Sequence, residues 1–178
     1  MFKEHLKKNN YIYKKIEISL TMHNYLFTLL LVLATNIGIA QELPPILNYV
    51  PKEYGAGNQN WMISQDKNQF VYFANNEGLL EFNGSSWSLY PSPNETILRS
   101  VKVINDRIYT GCYMEFGYWK KQPNGQLHYT SLSKTLKGKI IDDEQFWNIL
   151  HYDKWVIFQS LNRIYIYDSV LKKFSIIS

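Results

Sequence analysis

Between residues 58 and 93, apolar and polar positions alternate in short runs: NQNWMISQDKNQFVYFANNEGLLEFNGSSWSLYPSP. Alternation over a few residues is the period of a half-buried strand. The pattern predicts four strands: Trp61-Met62-Ile63, residues 70–74, residues 79–82 and residues 87–90. Polar turns separate them at Gln65-Asp66-Lys67-Asn68, Asn75-Asn76-Glu77-Gly78 and Asn83-Gly84, and Pro91-Ser92-Pro93 closes the run. Asn-Gly is a strong hairpin signal, because both residues tolerate positive φ. Four strands in meander order within about 35 residues make one blade of a β-propeller.

The pattern recurs. A second unit reads as strands at 98–104, 107–112, 116–120 and 127–132, turning at Asn105-Asp106 and at Gln122-Pro123-Asn124-Gly125. A third reads as strands at 146–151, 155–159, 163–167 and 174–177, turning at Asp153-Lys154 and Asp168-Ser169. Trp61, Val101 and Trp147, in the three first strands, stand 40 and 46 positions apart. The longer interval holds residues 133–144, an insertion between units. A period of about 40 residues with four strands per period is a propeller signature. A β-sandwich gives no reason for the same turns to recur in register. The expectation is an all-β fold, a partial β-propeller of about three four-stranded antiparallel blades behind a signal-peptide helix. Propellers close with typically four to eight blades. Three blades, and the ending FSIIS, lead us to expect the front end of a longer protein or a truncated copy of one.

Upstream the pattern changes. Residues 25–34, YLFTLLLVLA, are apolar, basic residues precede them, and Gly38 and Ala40 follow at small-residue spacing. This is the three-part layout of a secretory signal peptide, with cleavage expected between Ala40 and Gln41. The run falls short of the ~20 apolar residues of a spanning helix. Residues 1–40 are therefore assigned to the leader, with Met22 an alternative start. Residues 41–57 form a lead-in whose segment ILNYV, residues 46–50, is a further strand candidate, and residues 58–178 are blades.

Charge reinforces this division. The net charge of +4 is concentrated in the leader, where five lysines face two glutamates, and the remainder is almost neutral. A neutral body gives no electrostatic footprint for nucleic acid. Aromatic residues make up 16% of the chain, a share that suits packed strands. The single cysteine, Cys112, permits no intramolecular disulfide and no cysteine-based metal site, and it reads as a small buried hydrophobe.

Three segments carry a family resemblance: YGAGNQNWMISQD (54–66), YFANNEGLLEFNGSSWSLYPSP (72–93) and IYTGCYMEFGYW (108–119). They resemble the two-component-regulator propeller family, the exported sensor regions of Bacteroidetes-type regulators. The resemblance covers roughly residues 46–178. It implies further blades, a tyrosine-rich β-sandwich and a transmembrane helix downstream, then a histidine kinase or a LuxR-like helix-turn-helix. It also implies a location at the periplasmic face of the inner membrane, and an N-terminal sensor role without enzymatic activity.

No catalytic motif stands out, and no metal site or cofactor is expected. His128 and His151 are isolated, and Asp142-Asp143-Glu144 reads as a solvated loop. Trp61, Trp87, Trp147 and Trp155 read as blade packing. The ligand-binding candidates are Tyr113, Glu115, Tyr118 and Trp119, clustered in one turn and strand. Aromatic faces stack on sugar rings and a carboxylate accepts hydroxyl hydrogen bonds, so a glycan or small molecule is the expected ligand. Two other readings remain: a secreted polysaccharide-active enzyme, which needs acids converging on one pocket, and a non-functional truncated copy.

Overall fold

The computed structural model describes residues 2–35, 44–136 and 138–178. The chain forms two compact units, Met1–Leu47 and Asn48–Ser178. The first contains one helix, α1 (Phe2–Thr35). Its described side chains are exposed. Among the described residues no helix is long and apolar enough to cross a membrane. The expected cleavage point, Ala40 to Gln41, lies outside the described residues.

The second unit is three four-stranded antiparallel sheets, each a meander. The first holds β1 (Asn60–Gln65), β2 (Val71–Asn75), β3 (Gly78–Phe82) and β4 (Trp87–Pro91). The second holds β5 (Ser100–Ile104), β6 (Arg107–Gly111), β7 (Phe116–Lys121) and β8 (Leu127–Ser131). The third holds β9 (Asn148–Tyr152), β10 (Trp155–Gln159), β11 (Ile164–Asp168) and β12 (Lys173–Ile177). β5 packs beside both β1 and β9, so the first strands of the sheets line up along one side. The sheets stack as blades of a partial propeller, and they do not close a ring.

Alternation within the middle blade explains the stacking. Ile108, Cys112, Trp119 and Leu127 of this blade pack with Tyr72, Ala74 and Leu79 of the first blade. Tyr109 and Phe116 point the other way and pack with Phe146, Ile149, Phe158 and Tyr165 of the third. Phe116 is fully buried, with ring centroids 4.5 Å from Phe146 and 4.4 Å from Phe158. Each such aromatic burial contributes about 1.5–3 kcal/mol. The middle blade is thus the one sheet with apolar cores on both faces.

The hairpins follow local chemistry. Asn105 and Asp153 take positive φ, 55° and 52°, as the first residues of matching two-residue turns. The Asn83-Gly84 hairpin joins strands at the expected bounds, but its loop is wider than the two-residue turn common for Asn-Gly. Phe82 pairs with Trp87, so four residues form the loop. Asn83 Oδ1 accepts from the N–H groups of Ser85 (2.9 Å) and Ser86 (2.7 Å), so its side chain builds the wider turn.

The lead-in also departs from expectation. Residues 46–50 join no sheet, and a short helix, α2 (Pro51–Tyr54), follows. Side chains hold this segment rather than a backbone ladder. The Tyr49 ring lies 5.4 Å from Phe82 and 5.2 Å from Trp87, and Tyr54 lies 5.5 Å from Trp87. They cover the free face of the first blade.

The acidic triplet is divided. Asp142 and Asp143 are exposed, but Glu144 is 1% exposed. The expected solvated loop holds for the two aspartates alone. Glu144 turns inward because Ser160 Oγ (2.9 Å) and the Tyr165 hydroxyl both donate to its carboxylate.

Candidate ligand cleft at the rim of the inner strands

Each blade begins with a first strand whose opening residues sit at one common rim. In the second and third blades, Arg99 and Trp147 occupy the same register. Each immediately precedes its first strand, and each backbone N–H reaches the end of the neighbouring strand: Arg99 to the Gly111 carbonyl and Trp147 to the Gln159 carbonyl, both 2.9 Å. In the first blade the register slips between Asn60 and Met62, which makes Trp61 a bulge residue. A bulge re-aims the side chain it carries.

These three residues converge. The Arg99 guanidinium lies 4.1 Å from the Trp61 ring centroid and 4.8 Å from that of Trp147. The two indoles meet edge-on at 5.9 Å. Cation–π attraction and guanidinium stacking favour this arrangement. Arg99 Nε donates to Gln145 Oε1 at 3.2 Å, and the Trp61 indole N–H donates to Asn76 Oδ1 at 2.8 Å. Two buried donors stay without an acceptor, Arg99 Nη1 and Trp147 Nε1. A buried unsatisfied polar group costs about 1–3 kcal/mol.

Beside the clamp lies a cleft of about 260 Å³ lined by Glu95, Thr96, Ile97, Arg99, Tyr113 and Gln145. Its walls are held from several loops. Tyr113 bridges Gln145. Asn94 Nδ2 donates to the Tyr113 carbonyl at 2.7 Å, and Asn94 Oδ1 accepts from Thr96 Oγ1 at 2.7 Å. Glu95 (φ 59°), Met114 (φ 56°) and Asp143 (φ 65°) take the left-handed conformation around this rim. Non-glycine residues rarely adopt it, and such strain tends to gather at ligand-binding loops.

The four residues expected from sequence are separated. Tyr113 is 40% exposed and lines the cleft. Glu115 turns into the fold, where its Oε1 accepts from the Tyr129 hydroxyl (2.9 Å) and Ser131 Oγ (2.7 Å). Burial, followed by the Glu115 charge, drives the Tyr129 hydroxyl pKa upward. Tyr118 lies beneath the Arg107 guanidinium, 4.4 Å from it. Trp119 is buried on the opposite face of β7, where its Nε1 donates to Thr110 Oγ1 at 2.9 Å. Successive side chains on a strand point to opposite faces, so neighbours in sequence do not make one site. Trp61 and Trp147 pack as expected, though around an arginine at the rim. Arg99 carried one sequence signal: a charge in LRSVKV, at the register where the third blade places a tryptophan.

A second cleft, of about 300 Å³, opens between the first two blades at their β-turn end; Asp66, Lys67, Tyr72, Asp106, Arg107 and Lys120 are among its lining residues. Its charges are partly paired internally. Lys120 lies 3.0 Å from Asp106, and that hydrogen bond holds the Asp106 carboxyl below the usual carboxylate range.

No family model matches the sequence, and no curated protein matches it. Solved structures do resemble the fold. The extracellular domain assigned to a hybrid two-component system of B. thetaiotaomicron superimposes with a TM-score of 0.52 at 16% identity, over 67% of this chain and 15% of that one. A second structure, described as the extracellular domain of a one-component system of the same organism, gives 0.48 at 16% identity, over 67% of this chain and 16% of that one. The first likeness shows that blades of this kind are arranged as in that extracellular domain. This chain spans about 15% of its neighbour's length.

Proposed function

We propose that this chain is the N-terminal ligand-sensing segment of an exported, membrane-anchored propeller regulator, and that the rim cleft is its binding site. One observation carries the reading: three blades bring Trp61, Arg99 and Trp147 together beside an open, Tyr113-lined cleft. Two edge-on aromatic rings and a cation between them suit a sugar or another small polar molecule. The blade arrangement shared with an extracellular domain supports export. The open apolar face of the third blade suits stacking by a further blade, and an output module lies beyond that. The segment acts by binding, without catalysis. Glu95 is the one carboxylate among the residues lining the cleft, and glycoside hydrolysis needs a pair.

Intrinsic tryptophan fluorescence of the full chain, titrated with a panel of neutral and charged oligosaccharides, tests this. The expected result is saturable binding to at least one member, lost in Trp147→Ala. A silent panel overturns the reading. Binding that survives both Trp61→Ala and Trp147→Ala removes the site from this rim.

A further inference from the structure

This inference rests on the binding reading above and concerns the chemistry of the ligand. The rim offers hydrogen-bond donors and lacks acceptors to match them. Arg99 Nη1 and Trp147 Nε1, adjacent in one clamp, are both buried and both unpartnered. Arg99 also forms no ion pair among the described residues; the three pairs there are Lys120–Asp106, Lys121–Glu81 and Lys154–Asp168. Gln145 takes only the Nε side of the guanidinium, and the Trp61 and Trp147 rings flank it at 4.1 and 4.8 Å. A guanidinium flanked by two rings and tied at Nε, with a terminal N–H lacking an acceptor, is positioned for an anion. Glu95 is the opposing charge at the cleft. It is exposed to solvent and so screened, whereas Arg99 is half-buried between rings.

We propose that the rim binds a carboxylate group of the ligand, which accepts from the terminal nitrogens of Arg99 and from Trp147 Nε1. Trp61 is the movable side of the clamp. It is 38% exposed, stands on a bulge and is tied at its indole nitrogen to Asn76 alone. Its displacement uncovers the guanidinium edge. A carboxylate of this kind occurs on acidic sugars and on acidic peptides, and both satisfy the same donors.

The test is a tryptophan-fluorescence titration of the full chain with glucuronate, glucose and an acetylated glutamyl-glutamate peptide, in wild type, Arg99→Met and Arg99→Lys. Circular dichroism melts of the variants confirm folding. The expected result is a saturable response to glucuronate or to the peptide, with glucose weaker by about tenfold or more, as loss of a charged hydrogen bond implies. Arg99→Met weakens the carboxylate response by a similar factor. Arg99→Lys keeps part of it, because charge remains while the fork is lost. The responding probe identifies the source of the carboxylate. Equal affinity for glucose and glucuronate, or an unchanged Arg99→Met, overturns the carboxylate assignment and leaves the binding reading standing. Silence to all three probes also overturns the assignment, while the binding reading falls only if the broader oligosaccharide panel is silent too.

Discussion

Glu81 and Glu144 are both buried carboxylates, and their surroundings oppose each other. Glu144 receives hydrogen bonds at both oxygens, from Ser160 and Tyr165. Burial, with the carboxylate second, pushes the Tyr165 hydroxyl up to about 12, so that it stays a donor. Removing the Glu144 carboxylate strands the buried Tyr165 hydroxyl and leaves Ser160 Oγ donating to the Arg163 carbonyl alone. Glu144→Ala is expected to cost roughly 1–3 kcal/mol in denaturant unfolding, the penalty of one orphaned buried hydroxyl. A loss below about 1 kcal/mol would show that water fills the gap. Glu81 is less well served. Its Oε2 has no partner, and Lys121 stands 3.7 Å from Oε1. Desolvation therefore outweighs the lysine and raises the Glu81 carboxyl above its ordinary value of 4.5. A carboxyl raised by folding favours the protonated native state. Its stabilising effect is complete below the ordinary glutamate value and is lost as pH rises through the raised one. Glu81→Gln is thus expected to raise Tm at neutral pH and to flatten the pH dependence of Tm above pH 4.5. A lower Tm at neutral pH would show that the Lys121 pair dominates. None of this contrast is legible in sequence, because Asp142-Asp143-Glu144 reads as one polar run, and a single glutamate in LLEF gives no sign of where its second oxygen lies.

At the scale of elements, the repeat is deeper than its strands. Cys112 and Ser160 follow β6 and β10 in the same register. Each N–H reaches the carbonyl three residues on, Glu115 or Arg163, at 2.9 Å, and each side chain donates to that same carbonyl. Cys112 Sγ also donates to Asn94 Oδ1, as Ser160 Oγ donates to Glu144 Oε1. The thiol stands where the next blade has a hydroxyl. Cys112→Ser should therefore change stability by less than about 1 kcal/mol, whereas Cys112→Val, which removes the donor shared between Asn94 Oδ1 and the Glu115 carbonyl, should cost about 0.5–1.5 kcal/mol more. The reverse order in chemical denaturation would make Cys112 a purely apolar filler. Burial pushes its thiol up to about 11, so thiol reagents should label it only as the fold opens. The strands themselves were legible because turns are local. Asn105, Asp153 and Gly125 mark them directly. The slip at Trp61 was not legible, since a bulge depends on the partner strand, and with it went the Trp61–Arg99–Trp147 clamp, assembled from residues 38 to 86 positions apart.

The two outer faces of the three-blade arc are finished differently, and this governs how the isolated chain behaves. On the first blade, Tyr49 and Tyr54 lie over Phe82 and Trp87. On the third, register places Tyr152 opposite Trp155, Leu150 opposite Ile157, and Ile164 opposite Ile177, all on the face turned away from the middle blade. Tyr152 is 69% exposed, Ile177 53% and Leu150 51%. Directly opposite residues share one side of a sheet, so these side chains form an exposed apolar patch, bordered on the same face by Asn148, Gln159, Asp168, Lys173 and Ser175. Surfaces of this kind drive association when nothing covers them. The 178-residue chain is therefore expected to self-associate with rising concentration in sedimentation velocity. The double variant Tyr152→Lys with Ile164→Lys should shift it towards monomer, because two like charges on the patch repel their counterparts in a second copy. Neither side chain contributes to the buried clusters between blades, so the variant should keep its melting temperature within a few degrees. Tyr49→Ala supplies the converse: it uncovers Phe82 and Trp87 and should strengthen association through the first blade. A wild-type chain that stays monomeric at high concentration would place some other segment over the third blade's face, and protection of Leu150 and Ile164 amides from hydrogen exchange would then locate it.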